Sequence, residues 1–89
     1  MEFEYDPAKS ESNLAKHGID FDEAQGLWQD HGMVAAPVRR GGETRWVAIA
    51  RMGGSCWAAV YTMRGNATRI ISVRRATPKE VSAYDKANQ

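Results

Sequence analysis

Apolar positions along the chain change period twice. From residue 7 to 32 they recur at helical spacing, from 44 to 75 they alternate, and after 78 the helical spacing returns. FEYD, residues 3–6, is a short alternating strand. Asp6-Pro7 then reads as a helix start, with Asp6 as N-cap and Pro7 at the first helical position. That helix runs to His17 and stops at Gly18; its apolar face is thin, holding Ala8, Leu14 and Ala15. Asp20 and Glu23 have capping-box spacing for a second helix, with Ile19 placed to staple onto Ala24. Phe21, Ala24, Leu27 and Trp28 fall on one face of it, and Gly32 ends it.

The middle block predicts strands. MVAAPV, 33–38, is a weak strand, and Pro37 puts it at a sheet edge. Residues 39–42 read as a turn. Strands at 44–52 and 55–64 are joined at Gly53-Gly54, and a third at 67–75 follows Gly65-Asn66. A two-residue loop at Gly65-Asn66 sets Thr62 opposite Arg69, Val60 opposite Ile71 and Ala58 opposite Val73. With Cys56, that set is mostly apolar and is expected to lie under the helices. The other face then carries Trp57, Tyr61, Met63, Ile70, Ser72 and Arg74. Thr77-Pro78-Lys79-Glu80 is a second capping box, opening a short helix anchored by Val81 and Tyr84. The expected fold is α+β: a mostly antiparallel β-sheet with two N-terminal helices packed on one face and a short C-terminal helix.

Composition narrows the class. A chain of 89 residues is one domain's length, here 1–89. No apolar run approaches a membrane span, and the acidic opening MEFEYD lacks a basic-then-apolar leader, so a cytoplasmic protein with no membrane role is expected. The single Cys56 excludes an internal disulfide and a Cys-rich zinc site, and no cofactor is expected. Net charge is +1, but its distribution is uneven. Residues 1–38 hold eight acids and two lysines, a balance of −6; residues 39–75 hold eight arginines and one acid, a balance of +7. Arginine offers a planar, always-charged fork suited to phosphate, so its concentration points to a polyanionic partner.

No Ser-His-Asp order, P-loop or metal-ligand spacing is present. Arginines beside aromatic rings on a sheet suit RNA: guanidinium grips phosphate and rings stack on unpaired bases. The same groups could cleave RNA without metal. That reaction needs a base for the ribose 2′-hydroxyl, cations for the charged phosphorane, and an acid for the leaving oxygen. Simpler roles exist. His17 and His31 suit the C-terminal dipoles of their helices. Trp28 and Tyr84 suit a core, and Glu43 suits balancing Arg45. A non-catalytic RNA-binding or partner-binding module with an arginine-rich face would use the same residues.

EFEYDPAKSESNLAKHGIDFDEA, the pair Glu43 and Arg45, YTMRG and RIISVRRATPKE resemble, in this order, the BrnT toxins. The resemblance covers nearly the whole chain. It implies a RelE-like fold and a ribonuclease toxin of a type II toxin–antitoxin pair, an RNA endonuclease that arrests translation. It also implies a BrnA-like antitoxin with a DNA-binding domain, in a toxin–antitoxin hetero-oligomer. By motif match it carries over Lys16, His17, Glu43, Arg45, Arg64, Arg74 and Arg75. On this reading His17, Glu43, Arg64 and Arg74 are catalytic, with Arg64 and Arg74 sharing the scissile phosphate. Lys16, Arg45, Trp57, Tyr61 and Arg75 hold substrate. Valine at position 73 stands where the family's usual motif has alanine, and residues 30–43 match it poorly.

Overall fold

In the computed structural model, which describes residues 1–89, the elements follow the expected order. They are β1 (Glu2–Glu4), α1 (Pro7–His17), α2 (Phe21–Ala24), a 3-10 helix (Gln25–Gln29), β2 (Val34–Arg40), β3 (Glu43–Met52), β4 (Ser55–Arg64), β5 (Ala67–Arg75) and α3 (Pro78–Ala87). The five strands form one sheet in the order β1-β5-β4-β3-β2. Strands β2 to β5 are an antiparallel meander, and β1 adds in parallel to β5. The fold is α+β, as the periodicity predicts. No helix is long and apolar enough to cross a membrane.

Helix ends form where their capping residues stand. The Asp6 carboxylate accepts from the Ala8 amide at 2.9 Å, and Gly18 closes α1 in the left-handed region at φ 78°. Asp20 accepts from the Glu23 amide at 2.7 Å. The second helix is shorter than expected. After one turn it tightens into the 3-10 segment, where Gly26 lies so close to Met52 that a β-carbon would come within 2.8 Å of its sulfur. Phe21, Ala24, Leu27 and Trp28 still all turn toward the sheet. Asn13 fixes α1 at the β5 edge. Its amide donates to the carbonyls of Ile19 and Val73 and accepts from the Val73 amide. These bonds satisfy β5 beyond Arg69, the last residue that the short β1 can pair.

Ile19, Phe21, Ala24 and Leu27 pack on Ala50, Trp57, Ala59, Ile70 and Val73. Phe3, Trp28 and Tyr61 join this layer through edge-on rings, with Phe3–Trp28 centroids at 5.1 Å and Trp28–Tyr61 at 5.4 Å. A second, smaller cluster forms on the opposite face, where Tyr84 of α3 covers Ile49 and Ala58.

Two expectations about the last hairpin are corrected. Thr62 does pair with Arg69, but a β-bulge then shifts the register: Val60 pairs with Ser72, Ala59 with Val73, Ala58 with Arg74 and Trp57 with Arg75. Ile71 is the extra residue. The faces are also exchanged. The helices cover the Trp57–Tyr61–Ile70 face, not the Cys56–Ala58–Val60–Thr62 face. Alternation separates two faces but does not say which one is covered, and the helices took the one with the larger apolar side chains. Trp57 and Tyr61 are therefore not open stacking platforms. Trp57 is buried, and burial pushes the Tyr61 hydroxyl's pKa up. The turn at 39–42 is also shorter than expected. Arg39 and Arg40 belong to β2, and only Gly41 and Gly42 form the loop, both at positive φ.

Candidate active site on the open sheet face

Helix α3 covers only one end of the second face. The other end is open, and the strand register lays out its side chains in rows. Arg40 pairs with Glu43, and Arg64 pairs with Ala67. Continuing the β3–β4 register beyond Trp46–Tyr61 sets Glu43 beside Arg64. The next row holds Val38, Arg45, Thr62, Arg69 and Glu4. Neighbouring strands stand about 4.8 Å apart, so four arginines and two glutamates share a small patch. The Thr62 hydroxyl donates to the Thr44 carbonyl at 3.0 Å, which keeps β3 and β4 together here.

A cavity of about 250 Å³ opens in the third row. Val47 and Val60 lie beneath it, Val38 and Ile71 flank it, and Arg40, Arg45 and Ser72 supply its polar groups. Ile71 and Ser72 are consecutive, and two consecutive residues reach one face of a strand only at a bulge. The register shift thus shapes this cavity directly.

Four of the eight arginines have a carboxylate within ion-pair distance. They are Arg45 with Glu43 (3.4 Å), Arg51 with Asp85 (3.3 Å), Arg69 with Glu4 (2.8 Å) and Arg74 with Glu80 (2.7 Å). Arg39, Arg40, Arg64 and Arg75 have none. Arg45 meets Glu43 through Nε, which leaves both of its terminal nitrogens free.

Arg74 is held at the start of α3. Its two terminal nitrogens donate to the two Glu80 oxygens at 2.7 and 3.0 Å. Glu80 also accepts from the Thr77 amide, completing the predicted capping box. The Arg74 fork holds the Glu80 carboxyl far below its usual range, at about 2. Near the same end, Asp30 accepts from the Arg51 and Gly32 amides and from the Tyr84 hydroxyl, and these bonds lower its pKa.

The structure divides the nine residues singled out in the sequence. Glu43, Arg45 and Arg64 come together on the open face. Arg74 shares that face but lies opposite Ala58, six residues along β4 from Arg64. At about 3.3 Å per residue this is roughly 20 Å, too far for both to grip one phosphate. Lys16 and His17 end α1, exposed and without a side-chain hydrogen bond. Trp57, Tyr61 and Arg75 belong to the helix-covered face, where the Arg75 guanidinium lies 4.7 Å from the Trp57 ring centre and donates to the Ser55 hydroxyl. So Arg75, not Arg74, stands beside Trp57. The sequence reading missed Arg40 and Arg69. The Gly41-Gly42 loop was the available signal for Arg40, since a two-residue loop carries β2 as far as that residue.

Residues 5–80 match the family model described as ribonuclease toxin, BrnT, of type II toxin–antitoxin system. No curated protein matches the chain.

Proposed function

The chain belongs to the BrnT family of ribonuclease toxins of type II toxin–antitoxin systems, and on that basis we propose that it is a metal-independent RNA endonuclease whose site is the basic end of the open face. The observation that carries this reading is Glu43, paired with Arg45 at 3.4 Å, on a face that also holds Arg40 and Arg64, two arginines with no carboxylate partner. Glu43 takes the ribose 2′-hydroxyl proton, and the freed oxygen attacks phosphorus. The bond to the 5′-oxygen breaks and that oxygen takes a proton from solvent, leaving a cyclic phosphate and a 5′-hydroxyl. Arg64 stabilises the charge that builds on the phosphoryl oxygens. Arg45 positions the RNA, and Arg40 and Arg69 hold flanking phosphates. Arg74, with both terminal nitrogens on Glu80, joins α3 to the sheet instead of holding the scissile phosphate. The acids of this face are engaged with arginine, which favours guanidinium rather than a metal ion as the electrophile.

The expected setting is the cytoplasm, with residues 1–89 acting as a single toxin domain that arrests translation. A BrnA-like antitoxin, carrying its own DNA-binding domain, covers the arginine face in a hetero-oligomer.

The test is cleavage of single-stranded RNA by purified chain, in chelator, with the 3′ ends identified. Glu43→Gln and Arg64→Ala are each expected to slow cleavage about 10²–10³-fold without loss of the folded state. Folded variants that cut at the parent rate would overturn the assignment. A folded parent chain that binds RNA with steep salt dependence but yields no products would instead be an RNA-binding module.

A further inference from the structure

The cavity at the β5 bulge is not needed for the proton and charge steps above, yet it opens beside them. Its floor is apolar, its polar groups lie to the side, and it is smaller than the roughly 300–1,000 Å³ typical of drug-sized ligands. A flat apolar floor with polar groups at the margin suits one unstacked nucleobase. Single-stranded RNA is the substrate form that can offer one.

The polar groups restrict which base fits. Arg45 presents two free terminal nitrogens, both donors only. A guanidinium fork pairs best with two adjacent acceptors. Guanine offers them at O6 and N7, with a purine's two rings to cover the apolar floor; adenine sets an amino donor beside N7, and cytosine offers two acceptors only at O2 and N3, on a smaller ring whose C4 carries an amino group. Uracil has a carbonyl there but no second acceptor next to it. A 3.4 Å contact from its Nε to Glu43 biases where the Arg45 fork points. The Ser72 hydroxyl, brought to this face by the bulge, can donate to O6 or to the neighbouring ribose.

We propose that this cavity is a guanine pocket that sets where the chain cuts RNA, with Arg45 reading the base edge and Val47, Val60 and Ile71 holding its ring. The inference rests on the ribonuclease reading above and adds a sequence preference to it. It also links Glu43 to base selection, since the carboxylate that takes the proton touches the arginine that reads the base.

Two measurements test it. In the first, RNA with one randomised position is digested and the cut ends are sequenced. Guanine is expected at one fixed place relative to the break, about tenfold or more over adenine. Arg45→Lys keeps the charge but loses the fork, and is expected to bring that ratio near one. Val60→Phe, which fills the cavity, is expected to do the same. Equal cutting beside every base in the parent chain would overturn the pocket, as would a preference that survives in both variants. In the second, methyl resonances of Val47, Val60 and Ile71 are followed while guanosine or adenosine 5′-monophosphate is added. Only the guanine nucleotide is expected to shift them. If the folded chain cuts no RNA, the ribonuclease reading fails while this titration still decides the pocket: shifts with guanine sustain it, and no shifts, or equal shifts with adenine, overturn it.

Discussion

At the α3 end of the open face, Arg74 places two donors on Glu80 and Arg51 places one on Asp85. At the opposite end, Arg40 and Arg64 have no carboxylate partner. The same residue type therefore does two kinds of work on one surface. Where α3 packs, guanidinium groups close hydrogen-bond networks that join helix to sheet. Where α3 stops, Arg45 and Arg69 each keep one carboxylate, while Arg40 and Arg64 stand ready for an external anion. A count of arginines along the chain does not reveal this division; the positions of the few acids do.

The largest effect is expected from a change at the α3 end that leaves the basic end untouched. Asp30 joins both helical layers around the end of the sheet, because it follows the 3-10 helix and receives the Tyr84 hydroxyl at 2.7 Å and the Arg51 amide at 2.7 Å. Asp30→Ala leaves these donors without their acceptor. A loss of about 1–3 kcal/mol is expected in chemical unfolding, chiefly because the part-buried Tyr84 hydroxyl loses its acceptor while water can reach the Arg51 amide. Cleavage by the molecules that remain folded should not change. A stable Asp30→Ala chain with slowed cleavage would show that the two ends are not separate in function.

A smaller effect should come from Glu80, and it carries a signature in pH. Its carboxyl lies at about 2 in the folded chain against an ordinary 4.5. A depressed folded pKa contributes stability that is complete above about 4.5 and is lost as pH falls toward 2. Glu80→Gln should therefore lower stability at neutral pH by about 1–2 kcal/mol, a value reduced for screening because the Arg74 side chain is 39% exposed. The variant should also soften the loss of stability below pH 4.5. Asp30, depressed as well, keeps some of that acid sensitivity. An unchanged acid profile in thermal melts would count against the Arg74–Glu80 pair as a structural element.

The same contrast explains what could be read from the sequence. Helix starts were legible because Asp6, Asp20 and Thr77 act on their own neighbours. The glycine loops were legible for the same local reason, and they set the strand order of the meander. The bulge was not legible. Nothing in Arg69-Ile70-Ile71-Ser72-Val73 announces an extra residue, since alternation continued through it still gives a half-apolar face. It is required because Ile70 and Val73, three residues apart, both pack under the helices while Tyr61 and Ala59 opposite them are two apart. The tertiary demand of the core decides it, and its by-product is the cavity on the other side. Where the local pattern fails is therefore also where the candidate base pocket lies. The choice of covered face was illegible for a related reason: alternation separates the two faces of β4, and only the packed helices show that the one with Trp57 and Ala59 is covered.

The smallest expected effect falls on His17, where sequence motif and geometry point in different directions. The motif carries His17 over as a proton-transfer group. The structure ends α1 with it, exposed, in the last helical turn beside Lys16. A cation there interacts with the helix dipole, worth about 0.3–1 kcal/mol when the imidazole is protonated. If that is its main role, His17→Ala changes stability only slightly. Cleavage should stay within about twofold, against the 10²–10⁴-fold that loss of a working acid or base would cost. Lys16→Ala is the matched control, because it removes a neighbouring charge from the same helix end. A hundredfold slower His17→Ala chain with an unchanged melt would bring the end of α1 into the catalytic site. The 2′-hydroxyl proton would then have to be reassigned from Glu43, and RNA would have to wrap the sheet edge to reach both.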